Sequence, residues 1–201
     1  SQGCTDTSSL SLNVYPNVNA NYVVDTSGCS PLTVQFYNLS IGGNTFLWDF
    51  GDGTYTNALT PTEKTYLNTV NGEEVFNTSL IVTSNYNCSD TVSQNIHVYQ
   101  SPIVNFEATP TTQFLPSSTV EFQNNSSFGT WDYEWEFGNN SSSTLQNPPP
   151  HVYGTSGDFL IKLFLSNAYG CSDSAAQWIS IFPLSPQADF NGEGKGCAPL
   201  T

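Results

Sequence analysis

Two acidic turns raise the question of chemistry. The stretch "FLWDFGDGT" at 46–54 places Asp49 and Asp52 three residues apart beside Gly51 and Gly53. Hard carboxylate oxygens at such a spacing could hold Ca²⁺. The same residues suit a tight turn, in which the glycines take left-handed backbone and Asp52 accepts from nearby amides. A second copy, "YEWEFGNNS" at 133–141, bears on the choice: Glu136 stands for Asp49, Asn139 for Asp52 and Asn140 for Gly53. Asn tolerates left-handed geometry, so a turn survives that exchange while the charge does not. The structural reading is preferred, with Ca²⁺ at Asp49 and Asp52 as the alternative and no other cofactor implied.

His97 and His151 are the two histidines, and neither has a Cys or His at metal-binding spacing. "GTSGD" at 154–158 reads as a turn, and nothing points to a Ser–His–Asp constellation. His151 reads as support for the corner at Tyr153. No catalytic residue is assigned, and the chain reads as non-enzymatic. Trp131, in the polar stretch "NNSSFGTWDYEW" with Phe128, is the candidate for stacking on a sugar or anchoring a protein partner. Burial at the joint with the neighbouring unit is the preferred reading of Trp131, and ligand binding the alternative.

Three lysines, no arginine and 17 acids give a net charge of −14. Phosphate backbones are bound by Lys and Arg that displace counterions, so nucleic acid is excluded as a partner, and an anionic membrane surface repels the chain. No apolar run approaches the roughly 18 residues of a membrane span. No signal peptide is visible, so it was removed or this is an internal piece. Thr, Ser, Asn, Val and aromatics dominate and no helical period is sustained, which predicts an all-β protein.

The chain repeats itself every 84 residues or so. "GCTDT" at 3–7, "NCSDT" at 87–91 and "GCSDS" at 170–174 place Cys4, Cys88 and Cys171 at steps of 84 and 83. "GCSPLT" at 28–33 returns as "GCAPLT" at 196–201, and Trp48 returns as Trp135. Residues 1–15 then read as the tail of an upstream repeat, 16–100 and 102–184 as two complete domains, and 186–201 as the start of a downstream one. The joints carry Pro102, Pro183 and Pro186, which predicts a semi-rigid array. Each domain offers about seven short strands; in the first they include "NANYVVD", "LTVQFYNLS", "TFLWDFG", "TYTN", "EVFNTSLIVTSN" and "TVSQNIHVY". Alternation puts Val34 with Phe36, and Trp48 with Phe50, on inward faces. The counterparts are Val120, Phe122, Trp135, Phe137, Ile161, Leu163 and Leu165, and a compact sandwich follows.

The motif Trp48-Asp49-Phe50-Gly51-Asp52-Gly53 resembles that of the PKD domain, an immunoglobulin-like sandwich, as does "PPPHVYGTSGDFLIKLFLSNAYGCSD" at 148–173. The first copy departs by placing Lys64 where His151 stands, the second by its turn after Trp135-Glu136-Phe137-Gly138. The resemblance implies tandem PKD-like sandwiches in a linear array of a large bacterial surface or secreted protein. Trp48, Phe50, Gly51, Gly53, Trp135, Phe137, Gly138, His151 and Tyr153 would be structural. The expected function is an extracellular stalk, spacer or filament segment of a repetitive adhesin, whose partners are neighbouring repeats of the same chain. The alternative is a glycan- or protein-binding module. "DTV" at 90–92 and "DSA" at 173–175 resemble Asp-Ser/Thr-apolar O-glycan acceptors of bacterial surface proteins, marking Thr91 and Ser174.

Five cysteines in an extracellular chain imply disulfides. Cys29 precedes the second strand and Cys88 the last, which places them at opposite ends of one sandwich, roughly 30 Å apart. A bridge needs Cα atoms within about 7 Å. Cys171 occupies the last-turn position of the next unit, so an inter-unit bridge Cys29–Cys171 is expected. Cys4, Cys88 and Cys197 would pair beyond this stretch of chain.

Overall fold

Short runs of Val, Thr and aromatic residues between turn formers favour extended backbone over helix. The computed structural model, described for residues 3–184, contains strands and turns and no helix among those residues. The chain divides into two compact units. The first comprises the described residues up to Ser101 with Phe128–Thr130 and Asn167–Cys171. The second comprises Pro102–Ser127, Trp131–Ser166 and the described residues from Ser172. Residues 128–130 and 167–171, which the sequence reading placed in 102–184, thus group with the first unit. The proposed repeat at 186–201, with Pro186 and Cys197, lies outside the described residues.

In the first unit the strands are β1 (Tyr22–Val23), β2 (Ser27–Cys29), β3 (Leu32–Val34), β4 (Tyr37–Asn38) and β5 (Thr45–Asp49). They are followed by β6 (Tyr55–Thr56), β7 (Lys64–Tyr66), β8 (Glu73–Thr83) and β9 (Ser89–Tyr99). A five-stranded sheet runs β2-β9-β8-β5-β6, and the pairs β1-β4 and β3-β7 complete the sandwich. All pairings are antiparallel except β2 with β9. The second unit has β10 (Phe106–Thr109), β11 (Thr112–Phe114), β12 (Thr119–Asn124) and β13 (Asp132–Glu136). Then come β14 (Ser142–Ser143), β15 (His151–Val152), β16 (Gly157–Ser166) and β17 (Ser172–Phe182). Its sheets run β11-β17-β16-β13-β14 and β10-β12-β15.

The number of strands exceeds the seven expected, for identifiable reasons. "LTVQFYNLS" is not one strand: β3 pairs with β7 and β4 with β1, and Gln35 at the break sends its side-chain amide to the Pro61 carbonyl at 2.8 Å. Strands β2 and β7 are three residues each, too short for their alternation to register in sequence. Each core is centred on a fully buried tryptophan. Trp48 meets Tyr22 and Phe36 with centroids at 5.2 and 5.6 Å, and Trp135 meets Phe106 and Phe122 at 5.1 and 5.6 Å. Tilted and edge-on rings at such spacings combine area burial with favourable quadrupole contacts.

Candidate functional site

Asp49 closes β5, and its Oδ1 accepts from the Gly51 amide at 2.8 Å. Asp52 Oδ1 accepts from Thr54 N at 3.1 Å and Thr54 Oγ1 at 2.6 Å, while its Oδ2 meets Lys64 Nζ at 2.5 Å. Lys64 Nζ also lies 5.2 Å from the centroid of Phe50. Partial burial alone would push the Asp52 carboxyl up, but Lys64 and Thr54 outweigh it and hold the group below its ordinary value. Asp52 thus uses both carboxylate oxygens, and Asp49 one, in closing the turn. Among the described residues, no three His, Cys, Asp or Glu side chains gather as a metal set.

The second copy closes the same turn without charge. Asn139 Nδ2 lies 2.9 Å from His151 Nε2, and Asn139 Oδ1 accepts from Ser141 N at 3.3 Å and from Ser141 Oγ. His151 stacks on Phe137 at 4.7 Å and stands edge-on to Tyr153 at 4.9 Å. Burial lowers its pKa and favours the neutral ring that accepts from the amide. The ion pair Lys64–Asp52 and the neutral pair His151–Asn139 are thus two solutions to one geometry. Ser141 Oγ lies 3.2 Å from His151 Nε2, but it also bonds Asn139 Oδ1, so the hydroxyl is engaged within the turn. Glu136 pairs instead with Lys162 at 3.3 Å, and His97 pairs with Glu73 on the neighbouring strand β8.

The backbone explains which motif residues are interchangeable. Gly51, Gly53, Gly138 and Asn140 have φ of 74°, 83°, 79° and 67°. A Cβ at Gly51 would stand 2.6 Å from the Asn77 carbonyl oxygen, and one at Gly138 2.9 Å from Leu160 N and O, whereas Gly53 has open space. Asn can therefore replace glycine at the last site and not at the first. Above each turn a buried tyrosine docks: Tyr66 Oη donates to Phe50 O, and Tyr153 Oη to Phe137 O, both at 2.9 Å. Burial pushes the Tyr153 hydroxyl up to about 12, and the Tyr66 hydroxyl is raised further. The two tryptophans match as well, with Trp48 Nε1 donating to Ala58 O and Trp135 Nε1 to Leu145 O at 3.0 Å each.

Trp131 corrects the ligand-binding expectation. It is buried in the second core, and its Nε1 donates to Ser127 O at 2.8 Å, so its ring is not free to stack on a ligand. Burial is the fate preferred from sequence, but the indole enters the core of its own unit and the expected place was the joint with a neighbour. Phe128 is 81% exposed. The exposed tryptophan of the structure is Trp178 on β17, 62% exposed and directly across from Leu160 on β16. Its place in "AQWIS", with Ile179 buried beside it, was the available signal.

The "CSD" runs have a use that sequence reasoning missed. Asp90 Oδ2 accepts from Ala20 N and Asp173 Oδ2 from Val104 N, both at 2.8 Å. Four residues on, Gln94 Nε2 donates to Tyr22 O at 2.8 Å, and Gln177 Nε2 donates to Ala108 O at 2.9 Å. The last strand of each unit thereby holds the opening segment by side chains. Thr91 and Ser174 lie next to these aspartates, exposed in β9 and β17.

Cys29 and Cys171 are joined by a disulfide, with Cα atoms 5.6 Å apart across 142 residues of chain. Cys29 lies opposite Tyr99 at the end of β9, whereas Cys88 directly precedes its start. Eleven strand residues between them span roughly 35 Å, which forbids a Cys29–Cys88 bridge. Cys4, exposed, and Cys88, half-buried, carry free thiols.

The corner, the tight glycine turn and the Gly-Cys-Ser-Asp hairpin all fall in one stretch. Residues 99–181 match the family model of the PKD domain. Among the solved structures similar to the chain are two PKD1 domains. The PKD1 domain of Vibrio anguillarum Epp is 25% identical over 41% of this chain and 94% of that one, with a TM-score of 0.32. The PKD1 domain of the Vibrio cholerae metalloprotease PrtV is 29% identical over 41% and 98%, with a TM-score of 0.31. A protein of Methanosarcina mazei is 32% identical over 48% and 65%, with a TM-score of 0.30. No curated protein matches the chain. The chain thus resembles the PKD domain over residues 99–181.

Proposed function

We propose that the chain is a non-enzymatic extracellular spacer, a stalk or filament segment of a repetitive surface adhesin. The observation that carries this reading is the occupation of its reactive side chains. The acids, amides and histidine of the PKD-like motif close their own turns through Asp52–Lys64 and Asn139–His151. The Cys29–Cys171 disulfide suits an oxidising compartment, and a net charge of −14 keeps the surface soluble and self-repelling. Repeats in series would hold a distal binding or catalytic part away from the cell.

Small-angle scattering of the chain, paired with a glycan and collagen binding screen, tests the spacer. A long, stiff profile with no binding is expected. Specific binding at micromolar concentration would overturn it in favour of a recognition module, for which exposed Trp178 beside Leu160 is the site to mutate.

A further inference from the structure

The turn after β16 and the turn after β8 are the same device in two states of use. In the first, Asn167 Oδ1 accepts from Tyr169 N and Cys171 N at 3.0 Å each, and Asn167 N donates to Cys171 O at 3.0 Å. In the second, Ser84 Oγ accepts from Tyr86 N and Cys88 N at 3.3 Å each, and Ser84 N donates to Cys88 O at 2.9 Å. The 167–171 turn is engaged: Cys171 is bonded to Cys29, Tyr169 stacks on Tyr99 with centroids 3.8 Å apart, and Asn167 Nδ2 donates to Gln100 O at 2.9 Å. The 84–88 turn already has half of this arrangement. Tyr86 stacks on Tyr15 at 4.2 Å, and Tyr15, in "NVYP", is the sequence counterpart of Tyr99 in "HVYQ". What it lacks is the disulfide, for Cys88 is a free thiol packed against the first core.

We propose that the Ser84–Cys88 turn is a docking site for a second PKD-like repeat, the one that ends at Tyr15, sealed by a disulfide from Cys88 to that repeat's Gly-Cys-x-Pro-Leu-Thr segment. This rests on the array reading above. The partner is specified by the engaged turn. Its cysteine belongs on a short strand running parallel to the segment that ends at Tyr15, opposite that tyrosine, as Cys29 lies opposite Tyr99. Seventy residues separate Cys29 from Tyr99, so the partner cysteine stands about that far before Tyr15. Ser84 has no amide to repeat the Asn167–Gln100 bond, so the stack and the disulfide carry the contact. In the sealing step the two sulfur atoms bond to each other. Their two protons and two electrons pass to a disulfide oxidant of the export compartment, which is reduced to two thiols.

Peptide mapping of the full-length secreted protein, alkylated without reduction, tests the assignment. The Cys88 peptide is expected to be recovered bonded to a Gly-Cys-x-Pro-Leu-Thr peptide from the preceding repeat. Alkylated Cys88, or Cys88 bonded to Cys4, would overturn it. In full-length Cys88→Ser, one additional alkylatable thiol should appear, on that partner peptide alone; no new thiol would equally refute the site. The spacer reading stands or falls separately on scattering and binding, which a peptide map does not touch.

Discussion

Asp52 is the residue at which a metal reading and a turn reading make different predictions. Its oxygens are taken by Thr54 and Lys64, so calorimetry of the chain with Ca²⁺ should show no micromolar binding. Asp52→Asn keeps the acceptor for Thr54 and loses the ion pair, a surface interaction worth at most about 1 kcal/mol after solvent screening. The pH dependence has a definite sign. The folded carboxyl titrates below its unfolded value of about 3.9, so its contribution is present above that pH and is lost as pH falls through the lower folded value. Urea melts of the wild type and Asp52→Asn should therefore converge under strong acid. His151 behaves differently. Its folded pKa lies below the unfolded value of about 6.5, so the second unit is at full strength above that pH. It weakens as pH falls toward the folded value, because the unfolded chain takes the proton first. The two closures also predict coupling. Asn139→Asp and His151→Lys should each destabilise alone, while the double variant, which recreates the first unit's pair, should recover roughly 0.5–1 kcal/mol beyond additivity in a double-mutant cycle.

At the scale of the elements, the strand–turn–corner unit divides its residues into those that fill space and those that need only a backbone angle. Trp48→Ala or Trp135→Ala removes a fully buried indole and should cost roughly 3–5 kcal/mol, read by denaturant melting. Gly51→Ala meets both a positive φ and the Asn77 backbone, so a loss of at least about 2 kcal/mol is expected. Gly53→Asn meets open space and copies Asn140, and its melt should lie within about 0.5 kcal/mol of wild type. Equal costs at the two glycines would show that the turn is not built as described.

At the scale of the whole molecule, the Cys29–Cys171 bridge closes a 142-residue separation and restricts the unfolded chain accordingly. Cys171→Ser should lower stability by about 2–4 kcal/mol in denaturant melts. Reduction of the wild type should reproduce that loss, since the cross-link and not the sulfur atom is what stabilises.

The sequence by itself determined the repeat, the all-β class, the inward tryptophans and the turn glycines. These follow from local rules: alternation with a period of two, left-handed backbone at Gly or Asn, and aromatic volume that has to be buried. It also separated Cys29 from Cys88, because strand length alone spans that distance. Only the tertiary structure decided that Trp131 turns into the core of its own unit, since its polar neighbours do not say which face of the chain meets a core. It decided, too, that Asp90 and Asp173 hold the opening segments and that Asp52 and Asn139 answer Lys64 and His151. Those partners lie 12 to 70 residues apart in sequence, and a side chain's use is set by what the fold brings within hydrogen-bond reach.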